Sequence, residues 1–211
     1  QEVANANGLM AASDLTLQTQ GVLDNRAGRI QGDDALVLRA GRVDNRDTLA
    51  GGIASAVADA TDTDAANRDA LPVRLGLAGA RIALVTDALD NQSGRIGAGR
   101  ELDLTAGTLD NSGGRLASQG DARLQVGDLR NAEGELATAG SLALATGTLR
   151  NDGKLHAGQD LRITADALTN GATGELIGLR GVDLVISGDL ANAGLIDGGY
   201  SHIRAGSLRN S

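Results

Sequence analysis

Asparagine returns at nearly fixed intervals along this chain of 211 residues, at Asn7, Asn25, Asn45, Asn91, Asn111, Asn131, Asn151, Asn170, Asn192 and Asn210. The successive gaps are 18, 20, 46, 20, 20, 20, 19, 22 and 18 residues. A period near 20 marks a solenoid, in which each repeat is one small unit stacked on the next. Other positions keep step from Asn25 onward. Two residues before each Asn stands Leu23, Val43, Leu89, Leu109, Leu129, Leu149, Leu168, Leu190 or Leu208, aliphatic in every case. Four residues before stands Gly21, Gly41, Asp87, Gly107, Gly127, Gly147, Asp166, Gly188 or Gly206. Gly and Asp are the residues that adopt positive φ at least cost, so a tight corner is expected there.

Between corners the pattern alternates with period two. Leu36-Val37-Leu38, Ile82-Ala83-Leu84, Leu102-Asp103-Leu104, Leu142-Ala143-Leu144 and Leu161-Arg162-Ile163 each place one face inward and one outward. A second short segment follows a glycine at Arg29-Ile30, Arg95-Ile96, Arg115-Leu116 and Glu135-Leu136. Each unit therefore reads as about three short strands separated by turns. No segment outside residues 53–70 keeps a helical period.

A unit of this size cannot bury its own aliphatic face. Stacking equivalent strands in parallel, about 4.8 Å apart, piles the Leu and Ile residues into internal columns. Parallel crossovers are almost always right-handed. The fold expected is an all-β, right-handed parallel β-helix of roughly 20-residue coils over residues 1–211. Asn25, Asn45, Asn91, Asn111, Asn131, Asn151, Asn170, Asn192 and Asn210 would then form a ladder of side-chain amides, each donating to the next.

One interval breaks the rule. The 46 residues from Asn45 to Asn91 hold one coil and 26 extra residues. The break follows Thr48-Leu49-Ala50-Gly51-Gly52, which places an insertion at about residues 53–76. Its Ala- and Asp-rich stretch, 53–70, has Ile53 and Val57 at helical spacing and reads as a short helix or ordered loop outside the coil. Two irregular coils pivoting on Asn67 are the alternative.

Composition removes several functions. Leu, Ile and Val supply 31, 9 and 10 residues, above the roughly 20% level below which disorder is the default. Tyr200 is the one residue among Phe, Trp and Tyr, so a stacking platform for nucleic acid is excluded for want of rings. A net charge of -8 offers no basic footprint either. The apolar runs are too short for a membrane span, and no signal peptide is read at Gln1. With no cysteine there is no disulfide, thiolate metal site or thiol nucleophile.

The units NQSGRIGAGRELDLTAGTLDN (Asn91–Asn111) and NAEGELATAGSLALATGTLRN (Asn131–Asn151) resemble the repeats of filamentous haemagglutinin. The resemblance covers nearly the whole chain outside about residues 53–76. That family comprises large bacterial exoproteins of the two-partner secretion route, including carriers of contact-dependent growth-inhibition toxins. The resemblance implies a segment cut from a longer chain, secreted or at the bacterial cell surface. It also implies an outer-membrane two-partner secretion transporter as partner during export, with host or neighbouring-cell receptors met through other regions. The amino-terminal secretion domain of such proteins is not evident.

Candidate chemistry is sparse, and no cofactor is expected. His156 and His202 read as surface residues without a ligand set. Gly97-Ala98-Gly99 lacks the third glycine of a dinucleotide loop and reads as a turn; Gly153-Lys154 has no phosphate loop before it. Asn91-Gln92-Ser93 matches a glycosylation triplet, but Asn91 belongs to the expected ladder. Asp62, Asp64 and Asp69 could gather calcium, yet lack the loop glycine, so a solvated flap is the expectation and no metal site is assigned.

Charge, by contrast, is ordered. Before the Asn, Asp24, Asp44, Asp90 and Asp110 give way to Arg130, Arg150 and Arg209; four residues after it, Arg29, Arg95 and Arg115 give way to Glu135. Opposite charges within each coil are expected to pair at the surface. The function expected is a structural shaft of an adhesin or toxin-delivery exoprotein, not an enzyme. A receptor-binding module acting through the 53–76 insertion is the alternative. A polysaccharide-cleaving β-helix enzyme, which would need converging carboxylates and rings to hold sugars, ranks last.

Overall fold

A strand with alternating aliphatic residues has one face to hide. In the strand Arg95–Asp110 that face is Ile96, Ala98, Leu102, Leu104, Ala106 and Leu109, and one coil alone has nothing to cover it. The computed structural model, which describes residues 1–49 and 74–211, shows how the chain hides it. Its strands run from Val3–Ala4 to Ser201–Asn210, and every strand pairing among the described residues is parallel. They form one sheet wound into a β-solenoid of about 9 turns, a parallel β-helix.

Stacking turns alternation into columns. Ile30, Leu77, Ile96, Leu116, Leu136, Leu155 and Leu176 lie in register through seven coils. Leu38, Leu84, Leu104, Leu124, Leu144, Ile163 and Leu184 form a second column, and Leu23, Val43, Leu89, Leu109, Leu129, Leu149, Leu168 and Leu190 a third. All of these side chains are buried. Each contributes about 1.5–3 kcal/mol by leaving water, so stability comes from many similar small contacts. The only residue among Phe, Tyr and Trp, Tyr200, is half exposed and takes no part in the core.

The strand segments run together more than the turn signals suggest. Arg95–Asp110 is continuous over 16 residues. The bends between its segments are register shifts, such as that between Gly79 and Arg81 on the neighbouring coil. Gly97-Ala98-Gly99, expected as a turn, lies inside this strand beside that shift.

The corner glycines serve a different purpose from the one expected. Positive φ does not fall four residues before the Asn. It falls two residues after, at Ala27 (49°), Asp47 (59°), Ser93 (49°), Gly113 (62°) and Glu133 (56°). These are third residues of turns that start at the corner Asn and end in Gly, except that Thr48 follows Asp47; Gly28 N–H closes one on Asn25 O (3.0 Å), Gly94 on Asn91 (2.9 Å) and Gly114 on Asn111 (3.0 Å). A positive φ at the third position is what a type II turn requires. The glycine four before the Asn is there because coils approach closely: a Cβ on Gly107 would stand 2.5 Å from the Asp87 carbonyl oxygen, and one on Gly147 2.9 Å from that of Gly127.

The coil is already in register at Gly76, the first residue of Gly76–Asp90, which pairs with Arg29. The expected insertion to about residue 76 therefore overlaps the returning strand by that residue. Its expected helix or loop at 53–70, the alternative coils about Asn67 and the Asp62/Asp64/Asp69 group lie outside the described residues.

Leu109 sits between Leu89 and Leu129 and is 1% exposed. Leu109→Asp buries an unpaired carboxylate and is expected to cost about 4 kcal/mol or more. Thr105→Asp, on the exposed side of the same strand, should stay within about 0.5 kcal/mol of the parent. Thermal melts followed by circular dichroism distinguish the two; equal melts would show the register to be wrong.

Candidate functional site: the amide ladder and its charged borders

The corner asparagines have a polar side chain on the inner side of an apolar solenoid. Asn25, Asn45, Asn91, Asn111, Asn131 and Asn151 are all 0% exposed. An amide there must find partners within the protein, since an unmet donor or acceptor costs about 1–3 kcal/mol. Each Nδ2 donates to the Oδ1 one coil on: Asn25 to Asn45 (2.8 Å), Asn45 to Asn91 (2.7 Å), Asn91 to Asn111 (2.7 Å) and Asn111 to Asn131 (2.8 Å). The series continues from Asn131 to Asn151, Asn170 and Asn192 at 2.8 Å per step, and from Asn192 to Asn210 at 2.7 Å. The same amides also donate to backbone carbonyls of the turn and the next strand, as Asn111 does to Gly114 O (3.3 Å) and Asn45 to Arg95 O (2.9 Å).

Two participants lie outside the expected set. Asn5 starts the series, donating to Asn25 Oδ1 at 2.7 Å. Asn7, which the sequence count included, is instead the positive-φ residue of that turn, at 56°. The signal was present: Asn5 stands 20 residues before Asn25, with Val3 two before it and Gly8 three after. Thr48 stands where other turns have glycine. Its Oγ1 accepts from Arg95 N–H (2.8 Å) and donates to Asn45 O (3.1 Å). Elsewhere that N–H bonds to a glycine carbonyl, as Arg115 does to Gly94 (2.8 Å). The hydroxyl replaces the carbonyl where the insertion interrupts the coil.

The charged residues do not pair as Asp-before with Arg-after in one coil. Asp24 accepts from Arg26 and Asp44 from Arg46, each at 2.7 Å and only two residues away. Asp90 receives Arg42 (3.3 Å) and Arg46 (3.5 Å) from the coil below. Arg115 reaches Glu135 in the next coil at 3.2 Å. The turn explains this choice: it puts residues two apart on one side of the corner, while residues five apart are divided by it. Hydrogen bonds from Arg26 hold the Asp24 carboxyl below its ordinary value. Burial pushes Asp44 up, but the hydrogen bonds and charge of Arg46 outweigh it and the net direction is down.

On the other border, Arg29 and Arg115 each bury an Nε that has no hydrogen-bond partner. Burial, with the charges of Arg74 and Arg115 added, pushes the Arg95 guanidinium below its ordinary value. His156, half-buried rather than fully exposed, meets Glu175 Oε2 of the next coil at 2.8 Å; exposed His202 lies 3.9 Å from Asp183. Gly153 and Lys154 lie within the strand Leu142–Ala157. Among the described residues no three His, Cys, Asp or Glu side chains gather in a metal-holding group, and no helix is long and apolar enough to cross a membrane.

Two measurements test this arrangement. Asn131→Ala leaves Asn111 without its acceptor and Asn151 without its donor, so urea unfolding should show a loss of about 1–3 kcal/mol. An unchanged midpoint would mean that the amides add nothing. Because the Asp24 and Asp44 values are lowered in the folded state, their contribution is present above the unfolded value of about 3.9 and disappears as pH falls through the folded values. The Asp24→Asn, Asp44→Asn double variant should therefore be less stable at pH 7 and converge with the parent in acid. A gap of constant size across that range would refute it.

A family model described as haemagglutinin repeat matches residues 2–68, 56–145 and 137–194, three overlapping segments that together span most of the chain. Searches of curated proteins and of solved structures give no match. The repeats compared with filamentous haemagglutinin from Asn91–Asn111 and Asn131–Asn151 fall within the matched segments, as do all the ladder residues from Asn5 to Asn192. The chain belongs to the haemagglutinin-repeat family, and its coils are a filamentous-haemagglutinin-type repeat region.

Proposed function

We propose that these coils are a shaft segment of a large bacterial exoprotein, secreted or held at the cell surface, that carries an adhesive or toxic tip and catalyses nothing itself. A haemagglutinin repeat wound as a β-solenoid fits the structural shaft of an adhesin-type exoprotein. The observation that carries the proposal is the amide ladder, unbroken from Asn5 to Asn210 and passing directly from Asn45 to Asn91 across the insertion. At about 4.8 Å per coil, its nine steps extend about 43 Å. A stack whose interior, among the described residues, is filled by aliphatic columns suits the transmission of length.

Export through an outer-membrane two-partner secretion transporter belongs to the same proposal and is supported by the family. Repetition also supports it: each coil can fold on the one before, so a long rod can form progressively as chain becomes available.

The test is a pair of deletions. Removing residues 112–131 joins Asn111 to Ala132 and keeps every column, the ladder and the Asn-x-x-Gly turn in register. Removing residues 112–121 puts Leu124 and Leu129 out of register with the coil below. The first variant should melt cooperatively as a β-rich protein; in the parent exoprotein, adhesion or toxin delivery should persist. The second should aggregate or melt early and abolish both. Equal damage from the two deletions would rule out a stacked shaft. Loss of adhesion or delivery from a folded, exported 112–131 deletion would show that these coils do more than hold the tip.

A further inference from the structure

In the column four residues after the Asn, three arginines, Arg29, Arg95 and Arg115, stand around one glycine before Glu135 takes the next place. Gly76 pairs with Arg29 on one side; its φ is 100°, and a Cβ built on it would run into the Arg95 carbonyl oxygen on the other, so only glycine fits there. Arg29, Gly76 and Arg95 are thus successive members of the column, and the middle one has no side chain. At about 4.8 Å per coil the two arginine positions are about 10 Å apart. Arg74 borders the same groove, and Ala78 and Gly97 belong to its small-residue floor. A Cβ on Gly97 would meet nothing within 4 Å. Among the described residues no carboxylate lines the groove, and Arg29, Arg74 and Arg95 take part in no salt bridge. The Arg29 side chain turns toward Gln31 while its buried Nε has no acceptor.

Three cations around a groove, with the buried Arg29 Nε left unmet, suit an anion. We propose that the groove lined by Arg29, Arg74 and Arg95 binds a tetrahedral oxyanion, a phosphate or sulfate group. Size supports this class. Charge-assisted N–H···O bonds of about 2.8 Å on opposite sides of an ion whose oxygens are roughly 2.5 Å apart span about 8 Å from nitrogen to nitrogen. Two guanidiniums on columns about 10 Å apart can make that span by small side-chain movement. A carboxylate can bridge two arginines, as Asp90 does between Arg42 and Arg46, but it offers fewer oxygens and less charge than phosphate or sulfate to three of them. Occupancy would also oppose the charge of Arg74, which adds to burial in pushing the Arg95 guanidinium below its ordinary value. This inference goes beyond the shaft proposal and does not depend on it, since a shaft can carry the site or lack it.

The experiment is calorimetric titration of the whole chain with sodium phosphate, sodium sulfate, sodium acetate and glucose 6-phosphate, with ionic strength held constant by chloride. Phosphate and sulfate should saturate a single site, and acetate should bind about ten-fold more weakly or less. Arg29→Gln and Arg95→Gln should each weaken phosphate about ten-fold or more, the loss of one charge-assisted contact. Arg130→Gln, which removes an exposed arginine on the other side of the corner, should leave binding unchanged. Without added anion, Arg95→Gln should melt at or above the parent, because it removes a crowded charge. Glucose 6-phosphate binding as tightly as phosphate would support a site for monoesters on larger molecules; binding of the free ions alone would support a site for inorganic anions. Absence of saturable heat with either free ion, or equal phosphate affinity in Arg95→Gln and Arg130→Gln, would overturn the assignment. So would a lower melting point of anion-free Arg95→Gln, which would make Arg95 a support of the coil.

Discussion

Backbone N–H and C=O groups of parallel strands satisfy one another only when the strands lie about 4.8 Å apart, and this spacing governs every column of the solenoid. It brings Leu109 against Leu89 and Leu129, and it brings the Asn111 amide within 2.8 Å of Asn131. It also sets what cannot be placed between coils. The glycines four residues before the Asn are needed because their neighbours' carbonyl oxygens stand where a Cβ would be. One distance therefore selects aliphatic residues inside, amides at the corner and glycine beside it.

The same spacing makes surface charge a collective matter. A residue type repeated at one position becomes a line of like charges about 4.8 Å apart, which costs energy unless something intervenes. The Asp line at Asp24, Asp44 and Asp90 is neutralised by Arg26, Arg42 and Arg46, supplied from the turn and the coil below. The Arg115 line is relieved at the next coil, where Glu135 takes its place. Between Arg29 and Arg95 the relief is of another kind, since Gly76 removes a side chain from the line altogether. Net charge, at -8, reveals none of this; the order of charges along the stack does.

Repetition also explains why a fold that can host enzymes reads here as a support. Function on a solenoid is built by departing from the repeat, because a site needs unlike groups converging at one place. Over the described coils the departures are few: Thr48 mends the ladder of backbone bonds at the insertion, Gly76 opens a gap, and His156 meets Glu175. The insertion itself enters and leaves without breaking the amide series, because Asn45 and Asn91 are neighbours in space although 46 residues apart in sequence.

The sequence by itself determined the period, the inward Leu and Ile residues, the class of fold and the corner asparagines, because each is a local pattern repeated often enough to outweigh exceptions. Asn5 was equally legible, hidden only by the nearer match of Asn7. Tertiary structure alone decided the rest. Whether a glycine serves positive φ or close approach depends on which carbonyl lies above it, and that atom belongs to a residue some 20 positions away. The partner of Asp24 is Arg26 because the turn brings them to one side of a corner and separates Arg29 from it. The gap between Arg29 and Arg95 exists because a 46-residue interval returns to register at Gly76. A pattern along the chain specifies what each position buries, but contacts between coils are set by the stacking register, and only the wound chain has one.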